Sequence, residues 1–584
     1  MKTKSVSLFS LGLALCLSFG VVSCTAIPED GKARFASFTY TGDDQIYKDV
    51  PLDGTNFYNP IIQGFYPDPA IVRKGGDYYM VVSSFAFYPG VPIFHSTDLV
   101  NWRQVGHVLD RPEQLPLRAG VGSSQGIFAP SIAYNPHNDT FYMITTNTSD
   151  PLGNFFVKTK NPAGDWSDPI KLPEINGIDP SFFFDEDGKG YIVHNGETDG
   201  APLYEGHRTV RVWEFDPSTD KITGGGHVVI NGGVNLAEQP VWIEAPHIYK
   251  RHGKYFLMCA EGGTSVNHSE VIFEADTPLG PYTPSPTNPI LTQRHLGDAR
   301  AYEVTSAGHA DIVSTPDDNH YGVFLAVRPY EGNKYNTGRE VFILPVDWSG
   351  EFPAFVGGHD PIQPTLPLPA GVENKTGKEG FLPNGNWSHT DNFDTDQLDQ
   401  RWLMLRTPDS TFYAFEDEAL VLDKKAVSAK ERKNPSLVGF RQQHTTFSAQ
   451  TDLRFNPTEE QDLAGMVCFQ DDWFNYIFGV TLLDGQRSLV LEKTFRGTSE
   501  IVASEPLDKE WVTLRIEGNG ADYSFAYSTD GGKTFTYLAK NQDGSILSTD
   551  VAGGFIGNII CLYATSAKDN VWTPPTRFRQ QQVE

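Results

Sequence analysis

One short phrase, repeated five times, constrains the fold of this chain more than any other feature. Each copy joins a strand-like segment, a polar turn and an aromatic-rich apolar run, which is the order of elements in a β-hairpin. The first copy reads Tyr66-Pro67-Asp68-Pro69, then Gly75-Gly76-Asp77, then Tyr78-Tyr79-Met80-Val81-Val82. The copies start about 50 to 66 residues apart, which is the period of a β-propeller blade. The sequence therefore predicts an all-β fold with a five-bladed β-propeller.

Equivalent positions of propeller blades converge on the central axis. Aligning the five copies places one residue of each at such a position, with Glu244 one residue before the fourth: Asp68, Ala129, Asp179, Ala245 and His309. A repeat without function would carry the same residue in every blade. We therefore expect three carboxylates and a histidine to meet at the axis.

The last third of the chain has a different pattern. Pro361 to Pro383 is rich in proline and glycine and separates the repeats from the carboxy-terminal region. Later segments read as strands without the repeated phrase: Phe447–Phe455, Gly465–Gln470, Tyr476–Leu482, Trp511–Glu517 and Tyr523–Ser528. Strands and turns of this kind favour a jelly-roll, concanavalin A-like β-sandwich.

The amino terminus resembles a bacterial targeting segment. Lys2 and Lys4 precede an apolar run from Val6 to Phe19, and the run ends in Val21-Val22-Ser23-Cys24, which resembles a lipobox. An ordinary secretory signal is the alternative. We predict acylation of Cys24, a membrane contact only through this lipid anchor, and a location in the bacterial cell envelope, either periplasmic or at the outer membrane.

These patterns divide the chain into four predicted segments. They are a signal peptide over residues 1–24, the propeller over 25–360, a proline-rich linker over 361–385 and the sandwich over 386–584. A first strand is expected at Phe35 to Tyr40.

Charge and cysteine content narrow the function. The formal net charge is −27, which argues against nucleic acid or an anionic membrane as a partner and suits an enzyme for neutral substrates. Cys259, Cys468 and Cys561 each lie in an apolar strand-like run. Their odd number and wide spacing predict core residues rather than disulfides or a zinc site.

The three carboxylates suit acid–base chemistry. Asp68 and Asp179 each precede proline, which predicts an extended backbone and a fixed side-chain direction. Glu244 has apolar neighbours, so desolvation is expected to raise its pKa. One ionised and one protonated carboxyl group are the pair that hydrolyses a glycosidic bond.

Four segments together resemble the motifs of glycoside hydrolase family 43: Gly64-Phe65-Tyr66-Pro67-Asp68-Pro69, Gly177-Ile178-Asp179-Pro180-Ser181, Ile243-Glu244-Ala245-Pro246-His247 and Gly308-His309-Ala310-Asp311. That family comprises five-bladed propellers that hydrolyse β-xylosides and α-L-arabinofuranosides with inversion. The carboxy-terminal region is similar to the β-sandwich of its xylosidase-type members through three further segments: Asp391-Asn392-Phe393-Asp394, Arg441-Gln442-Gln443-His444 and Gly553-Gly554-Phe555-Ile556-Gly557.

The resemblance implies roles for the carboxylates. Asp68 would be the general base that activates water, and Glu244 the general acid that protonates the leaving oxygen. Asp179 would keep the pKa of Glu244 raised by like-charge repulsion and orient the sugar.

The resemblance also implies substrate-binding residues. Arg339 matches an arginine that contacts sugar hydroxyls, and a surface or strand-pairing arginine is the alternative. His309 matches a histidine that binds near the sugar or, in some members, holds calcium through water; a core histidine is equally compatible. Phe85 and Phe128 match aromatics of the pocket or could be blade core. Phe555 matches a sandwich residue that closes one end of the pocket, which implies exo action.

The family commonly has Trp at the position of Phe128. The smaller ring leaves room beside the sugar, which favours an exo-acting, inverting α-L-arabinofuranosidase on hemicellulose side chains or oligosaccharides. The alternatives are a β-D-xylosidase at the same site and a non-catalytic carbohydrate-binding lipoprotein. A polysaccharide lyase or a calcium-dependent adhesion protein is a further alternative. The lyase is disfavoured, because no Lys, Tyr or Arg base occupies the equivalent positions. No cofactor is required by this chemistry, and calcium at the propeller axis is left open.

Overall fold

The computed structural model describes residues 31–149, 152–297 and 300–567. The predicted signal peptide and Cys24 lie outside the described residues, so the lipid anchor and the envelope location stay predictions. No helix in the described ranges is long and apolar enough to cross a membrane. Three short elements precede the blades: β1 (Ala33–Gly42), α1 (Gln45–Asp49) and β2 (Asn56–Tyr58).

Five antiparallel sheets follow in chain order, and they confirm the five-bladed propeller within the described part of the chain. The first two blades comprise β3 (Ala70–Lys74), β4 (Asp77–Val81), β6 (Gly90–Ser96), β7 (Arg103–Leu109), β8 (Ile127–Asn135), β9 (Thr140–Asn147), β10 (Gly153–Thr159) and β11 (Ile170–Lys171). β5 (Phe87–Tyr88) lies between β4 and β6 in the chain but belongs to a sheet outside the propeller. The third comprises β12 (Ile178–Phe184), β13 (Gly190–Gly196), β14 (Thr209–Asp216) and β15 (Lys221–Asn231). The last two comprise β16 (Glu244–Arg251), β17 (Lys254–Glu261), β18 (Ser269–Ala275), β19 (Thr283–Pro284), β20 (Leu291–Thr292), β21 (Thr305–Ser314), β22 (His320–Val327), β23 (Glu340–Asp347) and β24 (Ala354–Phe355).

The five aligned positions share one backbone conformation. Each lies in the left-handed region: Asp68 (φ 56°), Ala129 (33°), Asp179 (53°), Ala245 (49°) and His309 (55°). The inner strands of blades 2 to 5 also shift register at this point, as β-bulges do. These shared features confirm the alignment of the copies.

The extended backbone predicted for Asp68 and Asp179 from the following proline is wrong. The proline disfavours the right-handed helical region for the preceding residue. Both residues instead take the left-handed region, which Asp tolerates better than most residues. Each such residue costs about 1–2 kcal/mol, a strain typical of functional sites, and it accompanies the local bulge.

In the described residues the carboxy-terminal region supplies seven strands to each of two packed eight-stranded sheets, which β1 and β5 complete, and this confirms the concanavalin A-like sandwich. Its strands and helix are β25 (Thr365–Pro367), which pairs with β2 outside the sandwich, then β26 (Ser388–Asp391), β27 (Leu403–Leu405), β28 (Tyr413–Glu416), β29 (Ala419–Leu422), β30 (Ser436–Arg441), β31 (Thr446–Arg454), β32 (Leu463–Asp471), β33 (Phe474–Leu483), β34 (Gln486–Phe495), β35 (Thr498–Pro506), β36 (Trp511–Asn519), β37 (Asp522–Ser528), β38 (Thr536–Asp543), α2 (Thr549–Ala552) and β39 (Ile559–Thr565). Every strand predicted here from sequence is present. The three cysteines are buried free thiols, as expected of core residues.

The predicted amino-terminal boundary of the propeller needs correction. β1 is a strand, as expected at Phe35 to Tyr40, but it pairs with β26, β29 and β31 in the middle of a sandwich sheet. Its alternate side chains Phe35, Phe38 and Tyr40 are fully buried in the sandwich core. A strand whose alternate residues are apolar needs a sheet with one covered face, and the sandwich provides it. The sandwich is therefore built from both ends of the chain.

The blades and the sandwich share one core. β5, in the segment that joins two strands of the first blade, pairs with β27 at the edge of the second sandwich sheet. The proline-rich segment packs against the propeller: the Leu382 N–H donates to the Trp102 carbonyl (2.8 Å), and the Asn384 side chain donates to the Pro60 carbonyl (2.7 Å). This segment fixes the two domains against each other.

Phe38 provides a test of the position of β1. Its ring lies 4.9 Å from the Trp402 ring and 5.5 Å from the Phe440 ring, measured between centroids. We expect Phe38→Ala to lower the free energy of unfolding by about 3–5 kcal/mol, because a large buried ring leaves a cavity. Urea unfolding followed by intrinsic fluorescence measures the change. Thr39→Ala, on the opposite face of the same strand, is the matched control and should change stability by less than about 1 kcal/mol. Equal effects of the two variants would contradict the placement of β1 in the sandwich core.

Candidate active site

The three carboxylates come together at the propeller axis. Asp68 directly precedes the inner strand of blade 1, Asp179 lies in β12 and Glu244 begins β16. Asp68 and Asp179 are buried, and Glu244 is half-buried. Each is close enough for its charge to affect the pKa of another. The expected convergence of these residues is therefore what the structure shows.

Asp68 is held by hydrogen bonds to both carboxylate oxygens. The Ser83 hydroxyl donates to Oδ2 (2.5 Å), and the Arg339 guanidinium donates to Oδ1 through Nη1 (2.8 Å). The Ser83 oxygen in turn accepts from the Ala129 N–H (2.7 Å). Because this backbone N–H occupies an acceptor site of the hydroxyl, the Ser83 proton is directed at the carboxylate.

Charge and hydrogen bonding keep Asp68 ionised. Burial by itself would raise the pKa of Asp68, but the positive charge of Arg339 and the Ser83 hydrogen bond outweigh burial and hold the pKa below its usual range. Asp68 is therefore a carboxylate at neutral pH.

The other two carboxyl groups are shifted in the opposite direction. Burial, reinforced by the charge of Asp68, raises the pKa of Asp179 to about 7. Burial and the charges of Asp179 and Asp68 raise the pKa of Glu244 well above its usual range. The Ala245 N–H donates to Asp179 Oδ2 (3.1 Å), which links blade 3 to the residue next to Glu244. Burial and neighbouring negative charge therefore favour the protonated form of Glu244 beside an ionised Asp68.

Arg339 connects the carboxylates to the sandwich. It is 5% exposed, and its Nη2 donates to the carbonyl oxygen of Phe555 (3.3 Å). The Phe85 and Phe555 rings lie 5.7 Å and 5.5 Å from the guanidinium carbon. Phe128 packs edge-on against both rings, at 5.0 Å and 5.7 Å between centroids. The predicted binding residues Arg339, Phe85, Phe128 and Phe555 thus form one wall of the site.

His309 also lies at this site. Its Nδ1 is 3.7 Å from Asp68 Oδ1, and burial lowers the pKa of His309 to about 3, so the ring is neutral at neutral pH. The described residues contain no group of three His, Cys, Asp or Glu side chains arranged to hold a metal ion. Calcium at the propeller axis therefore stays a prediction, and no chemical step is assigned to it.

Residues 57–353 match the family model of glycosyl hydrolases family 43. The chain belongs to glycoside hydrolase family 43. Residues 390–574 match the model of the beta xylosidase C-terminal concanavalin A-like domain. The resemblance seen in the sequence motifs is thereby confirmed, and this protein is a glycosidase.

Relatives of this family 43 glycosidase carry two kinds of name. A xylosidase/arabinosidase of Butyrivibrio fibrisolvens is 36% identical over 516 residues, covering 87% of this chain and 95% of the relative. The non-reducing end alpha-L-arabinofuranosidase BoGH43B of Bacteroides ovatus is 34% identical over 537 residues, which cover 91% of this chain and 95% of the relative. The crystal structure of a GH43_12 retrieved from a capybara gut metagenome is 47% identical, with a TM-score of 0.86 over 91% of this chain and 99% of that one.

Two polar contacts of this family 43 glycosidase were not found from its sequence. Ser83 ends the aromatic-rich strand of blade 1, where a small polar residue carries no distinctive signal. Thr264, in the loop between β17 and β18, accepts from Arg339 Nη1 (3.3 Å). Both contacts depend on chain segments that are distant in sequence, and no local pattern reveals them.

Ser83 is expected to set the lower pH limit of this family 43 glycosidase. The resemblance implies that Asp68 acts in its ionised form, so activity is present above the pKa of Asp68 and is lost as pH falls through it. Ser83→Ala removes a donor to the ionised form, so the pKa of Asp68 should rise. The acid limb of the pH profile of kcat/KM should move up by about 1–2 pH units, because a hydrogen bond to a charged group is worth about 1.5–3 kcal/mol.

Ser84→Ala is the matched control for this measurement. Ser84 is equally buried, but its hydroxyl accepts from the Val91 N–H (3.1 Å) and does not contact a carboxylate. Its acid limb should stay at the wild-type pH. An unmoved limb in Ser83→Ala would contradict the role given to the Ser83 hydroxyl.

Proposed function

We propose that this glycosidase is exo-acting and inverting and releases terminal α-L-arabinofuranosyl residues from hemicellulose side chains or oligosaccharides. The observation that carries the proposal is that Asp68 and Glu244 lie in one site and that their surroundings shift their pKa values in opposite directions. Hydrolysis of a glycosidic bond needs one carboxylate and one carboxylic acid at the same time.

In the proposed mechanism Asp68 is the general base. Its carboxylate takes a proton from a water molecule on the sugar face opposite the leaving group, and that water attacks the anomeric carbon. Arg339 and Ser83 hold the carboxylate in place and keep it ionised. The anomeric configuration is inverted because attack and departure occur on opposite faces.

Glu244 is the proposed general acid. Its proton passes to the glycosidic oxygen as the bond to the anomeric carbon breaks, which avoids an alkoxide leaving group. Asp179 has two proposed roles, which are to keep the pKa of Glu244 raised and to orient the sugar. The charge of its nearby carboxyl group contributes to the raised pKa of Glu244. A non-catalytic binding protein would need no such buried acid, which disfavours that alternative.

Three features support the terminal arabinofuranosyl specificity. Phe555 reaches from the sandwich to the Arg339 guanidinium and packs against Phe85, and a ring there limits how far a polymer extends. Phe128 is smaller than the tryptophan that the family commonly has. The Bacteroides ovatus relative is named as a non-reducing end alpha-L-arabinofuranosidase. The second candidate is a β-D-xylosidase at the same site, favoured by the mixed name of the Butyrivibrio relative.

A hydrolysis panel tests the proposed function. With aryl α-L-arabinofuranoside, β-D-xyloside and α-L-arabinopyranoside we expect the first to give the highest kcat/KM, by about tenfold or more. Such a ratio corresponds to about 1.4 kcal/mol of transition-state binding. Asp68→Asn is the control for contaminating activity, and it should be inactive on all three. A higher kcat/KM on the xyloside would favour the second candidate, and proton NMR showing the retained anomer as the first product would contradict inversion.

Leaving-group dependence separates the acid from the base. Glu244→Ala should slow a substrate with a poor leaving group by about 10²–10⁴-fold and spare a dinitrophenyl glycoside, which needs no proton. Asp68→Ala should slow both alike, because water activation is lost with any leaving group. Steady-state and single-turnover rates on the two substrates measure this. Equal losses on both substrates in Glu244→Ala would overturn its assignment as the acid.

A further inference from the structure

The surface beside Glu244 is formed by a tryptophan with an unusual backbone. Trp242 lies two residues before Glu244 and is half-buried, with φ 55°. A bulky side chain in the left-handed region is an outlier that persists only where the surroundings determine it. The backbone here is therefore held in place by its neighbours.

Two glycine-containing loops hold this tryptophan. The Trp242 N–H donates to the Gly206 carbonyl (2.9 Å), and the Gly262 N–H donates to the Val241 carbonyl (2.9 Å). A methyl group added at Gly206 would lie 3.4 Å from the indole Nε1, and one added at Gly263 would lie 3.5 Å from its Cδ1. Both loops thus reach the indole at the edge that carries its N–H.

Arg208 covers the indole ring. Its guanidinium carbon lies 4.4 Å from the ring centroid. Among the described residues its hydrogen bonding is limited to the His207 carbonyl, which accepts from Nη1 (3.2 Å). The other N–H groups of the Arg208 guanidinium and the indole N–H of Trp242 have no protein acceptor among the described residues. These donors are available to a ligand.

The Trp242 surface is continuous with the sugar site. The Gly262–Gly263 loop continues to Thr264, whose hydroxyl accepts from Arg339 Nη1 (3.3 Å). The charge of Arg208 also acts on the pKa of Glu244. A leaving group that receives a proton from Glu244 has to lie beside that carboxyl group, and the Trp242–Arg208 pair is the neighbouring surface with available donors.

We propose that Trp242 and Arg208 form the binding site for the leaving group, and that this group is a sugar residue of the polysaccharide or oligosaccharide. The C–H groups of the sugar ring pack on the indole, and its hydroxyl oxygens accept hydrogen bonds from Arg208 and the indole N–H. This inference rests on the proposed glycosidase function and adds the chemistry of the leaving-group side.

Two measurements separate the leaving-group side from the sugar side. The first is kcat/KM on an arabinofuranosylated xylo-oligosaccharide, which fills both sides. The second is the inhibition constant of free L-arabinose, which fills the sugar side alone. We expect Trp242→Ala and Arg208→Ala each to lower kcat/KM on the oligosaccharide by about 10–100-fold, which is within the range that loss of a binding contact gives. The arabinose inhibition constant should stay within twofold of the wild type.

Trp511→Ala is the matched control. Trp511 is 40% exposed on the sandwich and also lies under an arginine, with the Arg454 guanidinium carbon 5.9 Å from its ring. Its loss should leave both quantities unchanged. Trp242→Phe keeps a ring and should recover at least a third of the wild-type kcat/KM, and Arg208→Ala decides the question if Trp242→Ala does not fold.

Two results would overturn the inference. One is a kcat/KM on the oligosaccharide within twofold of wild type in both variants. The other is an equal loss of oligosaccharide turnover and arabinose inhibition, which would mean that Trp242 and Arg208 only support the fold of the sugar site. Failure of the proposed function is distinct, because the wild-type enzyme would then not release arabinose from the oligosaccharide.

Discussion

The single positive charge of Arg339 governs the arrangement of the active site. Three carboxyl groups share a buried space at the propeller axis, and like charges in such a space cannot all ionise. Arg339 donates to Asp68, so the negative charge settles there. The remaining two carboxyl groups are dominated by burial and by the negative charges beside them, which raise the pKa of Asp179 to about 7 and the pKa of Glu244 well above its usual range. One guanidinium thus leaves similar carboxyl groups with opposite pKa shifts.

The position of Arg339 depends on the sandwich. Gly338, at φ 75°, packs so closely on Gly557 that a methyl group there would lie 3.0 Å from its backbone. Glu340, which follows Arg339 in the chain, accepts two hydrogen bonds from the Arg328 guanidinium (2.6 and 2.9 Å) and one from the Gly64 N–H (2.7 Å). Breaking a buried ion pair of this kind typically costs about 3–5 kcal/mol. Arg339 is thus held from the propeller side by its neighbour Glu340 and from the sandwich side by the contact of Gly338 with Gly557 and by the Phe555 carbonyl.

The blades and the carboxylates could be predicted because the sequence repeats. A strand, a turn and an aromatic-rich strand that recur five times predict a propeller. The residues at one repeat position differ between the copies and include carboxylates and a histidine, which predicts a functional site at the propeller axis. The family motifs then indicated roles for Asp68 and Glu244. The left-handed backbone of Asp68 could not be predicted, since the preference of a residue before proline is a local rule that does not hold at this position of the fold. Ser83 was missed because its two partners, Asp68 and Ala129, come from different blades.

The sequence by itself determined which residue types stand at equivalent positions, because the two-residue period of strands and the repeat of the blades are local properties of the chain. It also determined that β1 is a strand. Only the tertiary structure decided which sheet that strand joins, which carboxyl group has its pKa lowered and which side chains surround it. Sheet pairing, burial and charge proximity all depend on contacts between residues that are hundreds of positions apart, such as Asp68 and Arg339, and these contacts exist only in the folded chain.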